Sequence, residues 1–294
     1  MLNEPGISFI IPAYNEENSI VNTLSRLNAE LSKLTVSYEI ILVNDGSSDK
    51  TKEIAANIAG VKVISHPINI GYGNALKTGI RNARYEWIGM IDADGSYPIE
   101  DLHLLFDEMK KGFDVVIGAR KNTGMFDNPL KKIFRWGFKS ALKVFVNSKI
   151  EDPNSGFRMF RKEIIVELLP FLCGTFSFTT SMTILASGKD CFIKYIPIEY
   201  SQRTGKSKVR HIRDSIRTIQ YIFQGITFFN PIKFFILLSI AMIAIVCIPA
   251  MFLALFNMHT LSLYYMIFGT SVALMIGMGV LGDIIRISAN KRGH

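Results

Sequence analysis

Through the first 118 residues, short apolar runs alternate with longer amphipathic stretches. Ile7–Ile11, Glu39–Val43, Val61–Ser65, Trp87–Ile91 and Val115–Ile117 are rich in isoleucine and valine, the pattern of parallel strands buried on both faces. Between them, 17–33, 50–59, 74–84 and 100–111 carry helical spacing. Turn chemistry separates the two kinds of segment: Asn-Asp-Gly-Ser-Ser-Asp at 44–49, Asn-Ile-Gly-Tyr-Gly at 69–73 and Asp-Ala-Asp-Gly-Ser at 92–96. The series predicts an α/β fold with an open, mostly parallel, Rossmann-like sheet and helices on both faces.

The pattern changes after residue 128. Residues 129–149 place Lys131, Arg135, Lys139 and Lys143 on one helical face and Phe134, Phe138, Leu142 and Phe145 on another. Residues 208–229 repeat the arrangement with Arg210, Arg213 and Arg217 against Ile212, Ile216, Ile219 and Phe223. Both read as amphipathic helices lying in a membrane interface. Two apolar runs follow, 232–256 and 261–282, each longer than the roughly 20 residues that cross a bilayer. Basic residues flank the pair, and the connector Asn257–Thr260 holds no Lys or Arg. The positive-inside rule then puts both termini and the N-terminal domain in the cytoplasm of a two-span protein of the cell membrane. The expected division is an α/β core over 1–128, interfacial helices that complete its domain over 129–230, and a transmembrane hairpin with a tail over 231–294.

Composition narrows the function. The chain has 294 residues, 49% of them hydrophobic, with a net charge of +8. The apolar excess sits after Asn230 and the basic residues crowd into 120–149 and 203–217. Charge that flanks apolar spans suits an anionic membrane or a phosphate, whereas a nucleic-acid binder sets its charge in a stripe beside stacking aromatics; no nucleic-acid partner is expected. Cys173, Cys191 and Cys247 lack metal spacing and their odd number gives no disulfide framework. The first residues do not match a secretory signal. His66, His103, His211 and His259 are scattered and read as structural or exposed.

Three constellations carry chemistry. Asp92-Ala93-Asp94 follows the run Trp87–Ile91; residues i and i+2 at a strand end point the same way, and two carboxylates there can hold one hard divalent cation, Mg2+ or Mn2+. Pro12-Ala13-Tyr14-Asn15-Glu16 follows the first run; Tyr14 can flank a base and Glu16 can accept its hydrogens. Asp45 ends the second run, and Asp49 reads as the cap of the next helix. Gly71-Tyr72-Gly73 lacks the spacing of a phosphate loop and reads as a turn and helix start.

In order, spacing and strand context, these segments resemble the GT-A nucleotide-sugar fold of family 2 glycosyltransferases. Asp152-Pro153-Asn154-Ser155-Gly156-Phe157-Arg158 and Arg203-Thr204-Gly205-Lys206-Ser207-Lys208 resemble two further motifs of its polyprenyl-phosphate branch, the dolichol-phosphate mannose and glucose synthases. The resemblance covers about residues 5–220. It implies that Pro12, Ala13, Tyr14, Glu16 and Asp45 hold the nucleoside, and that Asp92 and Asp94 bind metal and diphosphate. It implies that Arg203 reaches the donor diphosphate, with Ser207 and Lys208 in support, and that Arg120 and Lys132 meet the acceptor phosphate, a group to which Ser207 and Lys208 also belong. Asp94, Asp152 and Arg203 are the expected catalytic residues; Asp152 lies near the reacting centre or braces the turn at 154–156. Some relatives carry Gln where Ser96 stands, and some Arg where Lys132 stands, which keeps the charge without the bidentate fork.

The implied reaction is inverting transfer of a sugar from a GDP-mannose- or UDP-glucose-type donor to a polyprenyl phosphate. Transfer to a glycan hydroxyl, which needs a general base, and an inactive membrane scaffold are the alternatives. The partners expected are the donor, the lipid acceptor and the bilayer, with a homo-oligomer left open.

Overall fold

The computed structural model describes residues 6–121, 150–201 and 231–291. The chain divides into two compact units, Met1–Thr218 and Ile219–His294. The expected interfacial helices at 129–149 and 208–229 lie outside the described residues, as do Lys132, Arg203, Ser207 and Lys208.

The first unit carries the strands β1 (Ile7–Ala13), β2 (Tyr38–Asn44), β3 (Val61–Ser65), β4 (Trp87–Met90), β5 (Val115–Arg120), β6 (Arg158–Arg161) and β7 (Ile193–Ile198). They form one sheet in the order β3-β2-β1-β4-β6-β5-β7. The first five match the apolar runs of the sequence. β6 and β7, which no apolar run announced, complete the sheet. β6 lies antiparallel between β4 and β5, and the remaining pairings are parallel.

Helices α1 (Ile20–Leu31), α2 (Thr51–Ala56), α3 (Tyr72–Asn82), α4 (Leu102–Lys110), α5 (Lys162–Leu168) and α6 (Phe178–Gly188) pack around it. The period-2 alternation of β1 shows how both faces are covered. Ile7, Phe9, Ile11 and Ala13 join Leu24, Leu27 and Leu31 of α1 and Leu102, Leu105 and Phe106 of α4 in one buried core. Ile10 points the other way, onto Gly79 of α3, where a larger residue would collide with it. α1 starts three residues later than its spacing suggested. Glu16 and Glu17 spend their backbone N–H groups on Thr51 Oγ1 (2.8 Å) and Asp49 Oδ2 (3.2 Å) instead of opening a helix.

The second unit is a helical hairpin. α7 (Pro231–Met242), a π-helical turn at Ile243–Cys247 and α8 (Ile248–Leu255) run on continuously, and α9 (His259–Lys291) returns. Asn257 makes the reversal with a left-handed φ of 59°. Pro249 accounts for the π turn: its ring cannot sit against the carbonyl of Ile245, four residues back. The displaced Ile245 carbonyl accepts the Tyr265 hydroxyl at 3.0 Å, and Ser262 Oγ donates to the Ala250 carbonyl at 2.6 Å. Leu238–Leu255 and His259–Gly282, of mean hydropathy 2.6 and 1.7, are long and apolar enough to cross a membrane. Their Ile240, Ile245, Met251, Phe252, Phe268 and Leu274 side chains are exposed.

Candidate active site

β1 pairs with β2 on one side and β4 on the other, so the chain changes direction of winding at β1. Open α/β sheets bind ligands at the carboxyl ends of such strands. The loops that follow β1 and β2 are sewn together there. Asn15, at a left-handed φ of 52°, accepts the Ser48 N–H on its Oδ1 at 2.8 Å and donates its own backbone N–H to Ser47 Oγ at 3.0 Å. Asp49 accepts from Thr51 and Glu17. Burial pushes its carboxyl up, but the Thr51 hydroxyl and these N–H groups outweigh burial and hold it below the usual carboxylate range. Pro12 and Ala13 end β1 in the core, while Tyr14 and Glu16 are half-buried on the lip. Glu16 Oε2 accepts the Ser19 hydroxyl at 3.2 Å.

Asp45 is buried, and both its oxygens already accept. Oδ1 takes the Ile70 N–H at 3.1 Å and faces His66 Nδ1 at 2.8 Å, and Oδ2 takes the Gly71 N–H at 2.8 Å. His66 in turn reaches Thr78 Oγ1 at 3.0 Å, which makes this histidine a brace, as its isolation in the sequence suggested. Asp45 thereby fixes the loop that launches α3. Gly71 holds a φ of 105° there, a conformation that favours glycine. The first residue of that helix, Tyr72, turns its hydroxyl back onto Asp92 Oδ1 at 2.8 Å. Burial and the neighbouring Asp92 charge push the Tyr72 phenol well above its ordinary value, so it stays a donor.

Asp92 and Asp94 leave the carboxyl end of β4. Asp94 is buried; its Oδ1 accepts the Ser96 hydroxyl at 2.5 Å and the Ser96 N–H at 3.1 Å. Between the two, the Ala93 carbonyl is held by Thr23 Oγ1 at 3.1 Å. Among the described residues no third His, Cys, Asp or Glu joins them in a metal cluster. Two carboxylates are nonetheless a fitting set for a hard cation that takes its remaining oxygens from substrate phosphate and water.

The antiparallel β6 brings a distant segment to this edge. Met90 at the end of β4 pairs with Arg158 at the start of β6, and Ile117 of β5 pairs with it from the other side. The turn 152–157 therefore enters where β4 and β5 leave. Asp152 meets Arg120 in a largely buried bidentate pair: Nε to Oδ2 at 2.7 Å and Nη2 to Oδ1 at 2.9 Å, with the Arg120 backbone N–H on Oδ2 at 3.1 Å. Burial pushes the Asp152 carboxyl up, and Arg120 more than reverses it, leaving it below the usual carboxylate range. Burial weakens the hold of Arg120 on its proton, and Asp152 overcomes that as well. The guanidinium also lies 5.2 Å over the Tyr200 ring.

The family model for glycosyl transferase family 2 matches residues 8–169, over half of the chain. The chain is a member of glycosyltransferase family 2. The chain is 33% identical over 221 residues to the dolichol-phosphate mannosyltransferase of Pyrococcus furiosus, covering 69% of this chain and 59% of that one. It is 34% identical over 172 residues to a dolichyl-phosphate beta-glucosyltransferase of Trichomonas vaginalis, covering 53% of each. The chain spans about half to two-thirds of the length of the curated relatives it matches. In structure it is similar to the glucosyl-3-phosphoglycerate synthase of Mycobacterium tuberculosis, solved with Mn2+, UDP-glucose and phosphoglyceric acid. That likeness has a TM-score of 0.59 at 17% identity and covers 76% of this chain and 80% of that one. The GT-A-like fold and the family read from the motifs are thus borne out, and the names of the relatives match the polyprenyl-phosphate branch.

The sequence points to Asp92, Asp94, Arg120 and Asp152 as candidate site residues but not to the pairing of the last two. It missed Tyr72, whose only signal was an aromatic residue between two glycines at a helix start. Gly156 and Arg158 stand in the sequence only as parts of the 152–158 motif; the fold sets Gly156 against Asp92 and Arg158 against α6.

Proposed function

We propose that the protein transfers a sugar, with inversion, from a nucleotide-sugar to a polyprenyl phosphate at the cytoplasmic face of a membrane that its two apolar helices span. The observation that carries this reading is the juxtaposition, at one sheet edge, of the Asp92–Asp94 carboxylates and the Arg120–Asp152 pair, in a chain that also bears two exposed apolar helices. The polyprenyl-phosphate relatives and the Mn2+ and UDP-glucose bound to the mycobacterial enzyme support it.

In this reading the loops after β1 and β2, with Pro12, Ala13, Tyr14, Glu16 and Asp45, frame the nucleoside. Asp92 and Asp94 hold Mg2+ or Mn2+, which when bound would neutralise the leaving diphosphate. Arg203, Ser207 and Lys208 complete the donor and acceptor phosphate contacts. Arg120 and Lys132 receive the lipid phosphate. A phosphate monoester has a second pKa of about 6, so its oxygen is a nucleophile near neutrality without a base. Positioning two anions is then the main task. The state of Asp152 agrees: a carboxylate held down by an arginine is a poor general base, which favours the phosphate acceptor over a glycan hydroxyl. Its work is to orient Arg120.

Incubating the purified protein with polyprenyl phosphate and a panel of nucleotide-sugars should give a lipid-phosphate sugar identifiable by mass. Sugar found on a glycan and none on the lipid would overturn the acceptor.

Arg120→Ala should lower acceptor-dependent kcat/KM by roughly one to two decades, the worth of one charge-assisted contact of about 1.5–3 kcal/mol, and barely change affinity for the free nucleoside diphosphate. It should also destabilise the fold, because it strands buried Asp152; Arg120→Ala with Asp152→Asn should recover the melting temperature but not the kcat/KM. Loss of nucleotide affinity, measured by calorimetry, with unaltered lipid dependence would move Arg120 to the donor side. For orientation, a cysteine at Met258 should react with an impermeant thiol reagent from outside the cell and one at Lys291 should not; the reverse labelling contradicts a cytoplasmic donor site.

A further inference from the structure

We propose that Tyr72 and Gly156 are positioning residues that grip the Asp92 carboxylate from two sides and set its angle toward a divalent cation. The proposal rests on the reading of Asp92 as a metal ligand and assigns the residues that make it one.

On the first side, the Tyr72 hydroxyl donates to Oδ1 at 2.8 Å. Tyr72 itself has little freedom. Its ring stacks on Phe176 at 6.0 Å and 10°. The residue before it is tied by its N–H to Asp45. The helix start is pressed against the 173–175 turn, where the Asn74 N–H meets the Gly174 carbonyl at 2.9 Å and any side chain on Gly73 would collide with the Cys173 carbonyl.

On the second side, Gly156 presents bare backbone to the same carboxylate. A Cβ built there would lie 2.7 Å from both oxygens of Asp92 and 2.8 Å from its carbon. The φ of Gly156 is not positive, so the need for glycine is one of space alone. Nor can the backbone withdraw. The Gly156 N–H donates to the Tyr97 hydroxyl at 2.7 Å, and Tyr97 is wedged against Phe157 and Tyr200. The carbonyl just before it, on Ser155, accepts from Arg158 Nε at 3.0 Å and from Nη2. The peptide is pinned by its oxygen and by its nitrogen, and Asp92 is the part that must move if a methyl group is added. Partners that orient a ligating carboxylate typically govern metal affinity 10- to 100-fold.

The test is direct Mn2+ binding, followed by electron paramagnetic resonance on the full-length protein in detergent with nucleoside diphosphate present and no turnover. Tyr72→Phe should weaken Mn2+ about 10-fold and Gly156→Ala up to ~100-fold. Nucleoside diphosphate affinity in chelator should be unchanged in both. Tyr72→Phe removes one oxygen and keeps the ring stack, so it tests the idea even if Gly156→Ala fails to fold. Wild-type protein that binds Mn2+ while Tyr72→Phe binds it equally well overturns the positioning role and leaves the metal site standing. Wild-type protein that takes up no Mn2+ overturns the metal reading and this proposal with it.

Discussion

Replacing Asp94 by asparagine should abolish sugar transfer while leaving the fold standing. The argument has two halves. Asparagine keeps the shape and an acceptor oxygen, so the Ser96 N–H and hydroxyl that now bond Asp94 Oδ1 retain a partner. It removes one of only two carboxylates that leave β4 together, and the proposed cation loses an anionic ligand for which the described residues offer no third. A cation at the leaving diphosphate is worth several kcal/mol of charge stabilisation, so turnover should fall on the order of a thousandfold or more. Wild-type activity should likewise vanish in excess chelator and return with Mg2+ or Mn2+. Product formation measured beside thermal unfolding checks both halves. A variant that turns over at the wild-type rate removes Asp94 from the metal assignment, and a variant that no longer folds shows that the carboxylate is structural.

Arg158→Leu should cost more stability than any other substitution considered for this protein. Arg158 is fully buried at the start of β6. Its oxygen partners come from two places: the Ser155 and Pro153 carbonyls of the turn before it, and the Thr179 carbonyl at 3.2 Å and Thr183 Oγ1 at 3.1 Å, both of α6. Replacing a buried ion by a well-packed hydrophobic residue can be neutral when its partner is replaced too. Here the Ser155 and Pro153 carbonyls stay behind, buried and without this donor, each at about 1–3 kcal/mol, while the Thr179 carbonyl keeps the Thr183 hydroxyl at 2.9 Å. A loss of about 3–5 kcal/mol follows, or roughly 10 °C in melting temperature for a unit of this size. Activity should fall further than stability explains, because the same turn carries Asp152 and Gly156. Lysine at 158 should rescue only part, since one ammonium cannot reach the turn and α6 together. Unchanged thermal unfolding in Arg158→Leu would show that the turn is held by other contacts.

The first five strands were legible because each is a short run of branched apolar residues between turn signals, and a strand buried on both faces has to be written that way. The two apolar helices were legible from length alone. Asp92 and Asp94 were legible because two residues separated by one, at the end of such a run, share a direction whatever the rest of the fold does. β6 was not. It is four residues long with arginine at each end, and the sequence gives no sign that Arg158 is buried, since three of its six donor contacts, to Thr179, Met182 and Thr183, come from a helix that only the fold brings to it. β7 was hidden as a half-buried edge strand that carries Lys194 and Pro197.

The site divides along the same line. Sequence placed Arg120 and Asp152 in separate motifs because they stand 32 positions apart. An antiparallel strand slipped between β4 and β5 is what returns the chain to the same edge and closes the ion pair. Tyr72 and Gly156 both meet Asp92 for the same reason: one opens a helix after β3, the other precedes β6. Local sequence determined the first five strands and the Asp92 and Asp94 carboxylates that follow the fourth. Only tertiary structure decided which residues hold those carboxylates in place, because such contacts depend on where strand ends converge and not on any period along the chain.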